Sequence, residues 1–216
     1  MPVANESFFR DSRLKAEAEG YSFQQDGAPK VAHQYNPETL TRTANAPFVR
    51  NGGLVALRRV ELAEDNTLYR FASKKWLQGA SAQLLDLLNS PWWIEEERMA
   101  LLLTRARTTA SKLTDIARRQ LALPAEWTDA DLLVRVRLRK GIVLAAHAGP
   151  GRTAQVGQDR YTIARGEAPH LFIDQLYVPG LGSLEGDRSK GRAYVSEWFD
   201  ESTARAFDPS ARGLNP

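Results

Sequence analysis

Apolar and polar residues alternate most regularly in "DLLVRVRLRKG", where Val134, Val136 and Leu138 share one side of an extended chain and Arg135, Arg137 and Arg139 the other. That period of two predicts a half-buried strand. "GLVALRRVEL" and "NTLYRFAS" read as two earlier strands, with "AEDN" between them as the turn of a hairpin. "GIVLAAHAG", "RYTIA" and "LFIDQLYVPGLG" read as later strands. Between the two sets the period changes. Met99, Leu102, Leu103 and Ala106 fall at i, i+3, i+4 and i+7, the spacing of one buried helical face. The helix is expected to begin at "SPWWIEEE", whose three glutamates suit the positive end of a helix dipole. "TTASKLTDIARRQLALP" repeats the pattern through Leu113, Ile116 and Ala117, and "SAQLLDLLNS" reads as a short helix capped by Ser81. "AYVSEWFDESTARAF" reads as a last amphipathic helix. The order strands, helices, strands predicts an α+β fold with a mostly antiparallel sheet, not a doubly wound βαβ fold.

Residues 1–50 follow a different pattern. "NESFFRDSRLKAEAEG" predicts one helix, capped by Asn5 or Ser7 and stopped at Gly20. "YSFQQDGAPKVAHQYNPETLTRTANAP" is polar and punctuated, with too few apolar positions for a core element. We read residues 1–50 as an N-terminal arm and residues 51–216 as the domain proper.

Composition narrows the classes. The chain has 216 residues, 43% of them hydrophobic and 25% charged, which is enough apolar material for a real core. No window approaches the apolar length of a membrane span. The first residues lack the basic and apolar regions of a secretory signal, so the chain is expected to be cytoplasmic when made. There is no cysteine, which excludes disulfides, thiolate-held zinc and thiol nucleophiles. Net charge is +3. Residues 1–50 carry six acids and six bases, whereas Val134–Arg165 carries seven bases against Asp159 alone. That local surplus points to an anionic partner.

Four places could carry chemistry. Arg70 in "LYRFAS" shares a strand face with Leu68 and Ala72, and an arginine so placed needs an anion: a protein carboxylate or a ligand phosphate. Trp92 and Trp93 cannot both face one core side; one of them could stack on a planar ring, or both could close a helix start. "GPGRTAQVGQ" could bring backbone N–H groups and Arg152 to a phosphate, or could simply join two strands. It lacks the Gly-Lys-Ser/Thr of a P-loop. In "LFIDQLYVPGLG", Asp174 and Gln175 interrupt opposite faces of an apolar strand, as a site at a strand end or as the polar side of an edge strand. The three histidines have no metal-binding spacing, and no metal is expected.

These pieces resemble the ADP-ribosyltransferase fold of bacterial toxins and related NAD-cleaving enzymes, over roughly Leu54 to Gly182. Members carry an arginine on an early core strand, here Arg70, and a catalytic residue on a late strand before a Pro or Gly turn, here Gln175. "VRVRLRKGIVLAAHAGPGRTAQV" is also similar, more loosely, to a segment of tuberculosis-necrotizing-toxin-like NAD glycohydrolases, which would make Gln155 the functional glutamine. The resemblance implies a split sheet and NAD as substrate. It implies Arg70 and Arg152 on the pyrophosphate, with Ser73 standing in for the family's Ser-Thr-Ser element. Trp92, Trp93 or Tyr177 would lie against the nicotinamide, and Gln175, with Asp174 or Gln155, would act at the ribose. The chain departs from the family in having no glutamate on the late strand. The implied partners are an immunity protein, a chaperone or a target macromolecule, with delivery that uses no ordinary signal peptide. Two other readings remain open: a basic nucleic-acid-binding module, with the arginine strand (Arg135, Arg137, Arg139) and Arg105, Arg107, Lys112, Arg118 and Arg119 as a phosphate footprint, and a non-catalytic interaction protein.

Overall fold

A computed structural model describes residues 1–21, 32–35, 42–48, 52–77, 84–124, 127–152, 154–156, 159–161, 173–182, 188–211 and 214. The fold is α+β and its main sheet is antiparallel throughout. The seven strands of that sheet are β3 (Arg58–Leu62), β4 (Thr67–Ala72), β5 (Trp92–Glu95), β6 (Leu132–Leu138), β7 (Leu144–Pro150), β10 (Asp174–Tyr177) and β11 (Phe199–Phe207). They lie in the order β11-β6-β4-β5-β10-β7-β3. Two small strand pairs stand apart, β1 (Ala32–Tyr35) with β2 (Arg42–Phe48) and β8 (Ala154–Val156) with β9 (Asp159–Tyr161).

Strand β5 is the hinge of the layout. Its first two residues pair with β10 (Trp92↔Tyr177, Trp93↔Leu176) and its last two with β4 (Ile94↔Tyr69, Glu95↔Leu68). Arg70–Ala72 of β4 and Asp174–Gln175 of β10 lie beyond those pairs. Leu62, Leu144, Ala146, Ala148 and Leu176 from the β3-β7-β10 side share one buried cluster with Leu68, Val134, Val136, Leu138 and Phe199 from the β4-β6-β11 side. Burial of this apolar surface is the main force holding the two sides together.

The alternation in β6 is realised as expected. Val134, Val136 and Leu138 are buried in that cluster, while Arg135 is half-buried against the Phe207 ring and Arg137 is exposed. The other side of β4 and β6 carries a second cluster, with Tyr69, Phe71 and Leu133 covered by helices α3 (Glu96–Thr108) and α4 (Leu113–Gln120). Met99, Leu102 and Ala106 are the buried stripe of α3, and Leu103 is only partly buried.

Several local expectations are corrected. β3 and β4 do not form a hairpin: β3 pairs with β7 at one edge of the sheet and β4 sits between β5 and β6. Leu62 and Leu68 both enter the main core. "WWIE" is strand and not the first turn of α3, because aromatic and β-branched residues fit a pleated surface better than a helix start; Glu96 and Glu97 alone occupy that first turn. "LLDLL" is a 3-10 turn, with Ser81 outside the described residues. The C-terminal amphipathic stretch divides into α5 (Arg188–Trp198) and edge strand β11. Strand β10 is interior, between β5 and β7, which removes the edge-strand reading of Gln175.

The first helical stretch is two helices, α1 (Glu6–Phe9) and α2 (Ser12–Ala18), because the Asp11 carboxylate accepts from the Arg13 and Leu14 amides and starts a new N-terminus. Asn5 caps nothing. It is fully buried, donates to the carbonyls of Ala145 (2.8 Å) and Pro179 (3.0 Å), and accepts from the Ala145 amide (2.7 Å). Leu14 and Ala18 pack with Leu54 and Tyr177. Residues 1–20 are therefore fastened to the sheet. Beyond Tyr21, the segment up to residue 51 is described only as the β1–β2 backbone.

Candidate active site

A cleft opens beside β5. It is lined by Arg70 to Ser73 from β4 and the residue after it, by Trp92, Trp93 and Ile94 from β5, by Gln175 from β10 and by Leu121 to Leu123 after α4. Gly52, Gly53, Ser90, Arg152, Trp76, Trp127 and Thr128 complete it. Its enclosed volume is about 210 Å³. Six of the nine residues singled out in the sequence (Arg70, Ser73, Trp92, Trp93, Arg152 and Gln175) thus meet in one place. Two arginines and no carboxylate are among the described lining residues, so the cleft carries positive charge.

Arg70 projects from β4 on the side of Leu68 and Ala72, as the alternation predicts. One Nη donates to the Leu87 carbonyl, and the guanidinium lies 5.9 Å from the centre of the Trp93 ring. Its Nε is buried with no partner, and no carboxylate among the described residues pairs with it. Burial lowers its pKa from 12.5 to about 10, so the group remains a cation at neutral pH. Arg152 enters from the segment after β7, fixed by its own amide, which donates to the Gly53 carbonyl at 2.7 Å. Its Nε is likewise buried and unpartnered. Two arginines that line one cleft, each with a buried Nε lacking a partner, suit an anion with several oxygens.

Gln175 is buried, and its Nε2 donates to the Leu121 carbonyl at 3.0 Å. That bond gives a physical reason for an amide here: a glutamate would set an acceptor against an acceptor. Gly151 makes room for it, since a Cβ at that position would fall 2.4 Å from Nε2. Asp174 goes elsewhere. It leaves β10 on the opposite face, is bound by Arg58 (2.6 Å) and Arg98 (3.8 Å), and is absent from the cleft lining. Gln155 sits on β8 opposite Arg160; its side chain lies outside the described residues.

Trp93 is 1% exposed, donates its indole N–H to the Ser90 carbonyl (2.6 Å), and packs on Phe199. It forms the cleft's floor. Trp92 is half-buried and meets the edge of Tyr177 at 5.1 Å. Tyr177 itself does not line the cleft. Its hydroxyl donates to Glu17 of α2 at 3.0 Å, and burial pushes both its pKa and that of Glu17 upward. It supports Trp92 from behind. Ser73 is buried, accepts from the Asp129 amide (2.7 Å) and shares a hydrogen bond with Thr128 (3.2 Å), so its hydroxyl is spent joining two segments of the cleft wall.

Two lining residues escaped the sequence reading. Trp76 (56% exposed) and Trp127 (44%) stand at the mouth. Each lies in a short polar stretch, "SKKWLQG" and "PAEWTDAD", with no periodicity to mark it. The signal available was a large indole surrounded by charged residues, where packing does not call for one.

Of the residues considered as a nucleic-acid footprint, Arg137 and Arg139 of the arginine stretch are exposed, while several helix arginines are engaged. Arg105 donates to Gln120, Arg107 to the Leu214 carbonyl, and Arg118 to the carbonyls of Thr128 and Asp129. Among the described residues no group of three or more His, Asp or Glu side chains is placed to hold a metal ion, and no helix is long and apolar enough to cross a membrane. In comparisons with known proteins, the chain matches no family model, no curated protein and no solved structure.

Proposed function

We propose that this chain is an NAD-processing enzyme of bacterial toxin or effector type, which cleaves the bond between nicotinamide and ribose as a glycohydrolase or ADP-ribosyltransferase. The observation that carries the proposal is the pair Arg70 and Arg152, each with a buried Nε that has no partner, in a cleft walled by indoles, holding Gln175 and with no carboxylate among its described lining residues. A pyrophosphate satisfies both cations, and the indole faces accept a planar ring. In this reading the short β5, which pairs with both β4 and β10, stands where an ADP-ribosyltransferase-like sheet would divide.

The chemistry asks little of an acid. Breaking the nicotinamide–ribose bond passes through an oxocarbenium-like transition state, as in glycoside hydrolysis. With Nε2 of Gln175 held by Leu121, its Oε1 is the acceptor available to a ribose hydroxyl. That neutral acceptor orients the sugar but gives less charge stabilisation than a carboxylate. Nicotinamide leaves as a neutral molecule, and water attacks the anomeric carbon and passes its proton to solvent. Asp174, bound by Arg58 and Arg98, has no part in this route. An N-terminal arm that serves delivery or an immunity partner is the companion proposal for residues 1–50. The test is expression in a bacterial host with the NAD pool measured. The native chain is expected to deplete NAD and Arg70→Ala to spare it; equal pools in both would refute the reading.

A further inference from the structure

The mouth of the cleft is built as carefully as its floor. Trp76 and Trp127 stand on two segments joined by four links. The Asp129 amide donates to Ser73 Oγ at 2.7 Å, and Ser73 Oγ and Thr128 Oγ1 share a hydrogen bond at 3.2 Å. The Lys74 amide donates to Asp131 at 2.7 Å, and Lys75 pairs with Asp129 at 3.2 Å. Trp127 packs on Gly52, where a Cβ would fall 2.8 Å from the ring. Gly53, the next residue, holds the Arg152 amide at 2.7 Å. The mouth indoles are thus tied to the frame that carries Arg152, one of the two arginines of the cleft with an unpartnered Nε. Apart from Met1, they are the large hydrophobic side chains with high exposure among the described residues. Despite the contact of Trp127 with Gly52 and of Lys75 with the Trp76 ring, both indoles keep much of their surface open on the rim of a cleft lined by two arginines.

Size supplies the second half of the argument. The cleft's volume of about 210 Å³, which Trp76 and Trp127 themselves help to line, falls below the roughly 300–1,000 Å³ of pockets that hold a whole drug-sized ligand. A dinucleotide with one end on the floor therefore brings its other end to the exposed indoles. From this we infer that the cleft is a two-part site: the interior receives the nicotinamide–ribose end, and Trp76 and Trp127 form an outer stacking site for the adenine. This assignment rests on the NAD reading of the same cleft and makes the two indoles specificity residues that favour a dinucleotide over a mononucleotide. Stacking on an indole is tolerant of which base is presented, because every base has a π face, so hypoxanthine or guanine in place of adenine should be accepted.

The experiment is calorimetric titration of the full chain with nicotinamide mononucleotide, AMP and ADP-ribose. The native chain is compared with Trp76→Ala, Trp127→Ala and Trp76→Phe. Each alanine variant is expected to lose roughly tenfold in affinity for AMP and ADP-ribose, to change less than twofold for nicotinamide mononucleotide, and Trp76→Phe to keep most of the native affinity. Losses equal for all three ligands, or no loss for AMP, overturn the outer stacking site and leave the NAD reading standing. No binding of any of the three to the native chain overturns both. A single-stranded oligonucleotide bound more tightly than ADP-ribose, and weakened by the same substitutions, overturns both in favour of a nucleic-acid site.

Discussion

Replacing Arg70 with methionine separates a group kept for binding from one kept for stability. The guanidinium is desolvated: burial takes it from 12.5 to about 10, which corresponds to roughly 3 kcal/mol against the charged form. Two contacts offset that cost. The hydrogen bond to the Leu87 carbonyl is worth about 1.5–3 kcal/mol and the approach to the Trp93 ring about 0.5–1. The sum is near zero, and methionine fills much of the same space beside Leu68 and Ala72 without a charge. Arg70→Met is therefore expected to leave the free energy of unfolding within about 1 kcal/mol of the native value. For a chain of this size that is a shift of about 2–4 °C. Ligand binding should behave in the opposite way. Losing charge-assisted hydrogen bonds to phosphate, at about 1.5–3 kcal/mol, lowers affinity for ADP-ribose roughly 10- to 150-fold. Thermal unfolding and calorimetric titration on the same preparation measure both quantities. A fall in stability of more than 3 kcal/mol with unchanged affinity would refute the reasoning and make Arg70 a structural residue.

Asn5→Ala strips one acceptor and two donors' worth of pairing from buried backbone at Ala145 and Pro179, so it should cost about 3 kcal/mol and lower the melting temperature by roughly 6–12 °C; a change under 2 °C would mean that α1 is not fastened there. Gln175→Glu, which turns a carboxylate towards the Leu121 carbonyl, is expected to destabilise the chain by about 1–3 kcal/mol at pH 7, and an unchanged melting temperature would show that the amide donor is not needed. His147 is buried against Phe9, and burial is the main cause of its pKa falling from 6.5 to about 4. Between those values the unfolded chain holds the extra proton, so stability present above pH 6.5 is lost as pH falls towards 4, by about 1–2 kcal/mol once solvent screening is allowed for. His147→Leu should flatten that part of the stability–pH curve, and an identical slope in the variant would exclude His147 as its source.

What the sequence disclosed follows from how local the information was. The face shared by Leu68, Arg70 and Ala72, the arginine side of β6 and the stripe of α3 are periodicities within one element, and each appears where the spacing put it. The antiparallel α+β class followed from element order. The errors sit where tertiary partners decide. "WWIE" is a strand because β4 and β10 flank it, and Phe199–Phe207 is a strand because β6 offers an open edge. β3 and β4 part company because each pairs with a strand distant in sequence, β3 with β7 and β4 with β6. At the site, Arg70 and Gln175 could be named because each breaks an apolar pattern. Trp76 and Trp127 could not, since a polar loop has no pattern to break. The reason for glutamine on the late strand lay in the Leu121 carbonyl, 54 positions away in the chain.

The most direct test of the account is nicotinamide release from NAD by the purified chain, followed chromatographically beside Arg70→Ala, Gln175→Ala and Asp174→Asn. The account predicts release by the native chain, at least a tenfold loss of rate in Arg70→Ala and in Gln175→Ala, and a rate within twofold of native for Asp174→Asn. No release by the native chain, or release indifferent to Arg70 and Gln175, would contradict it.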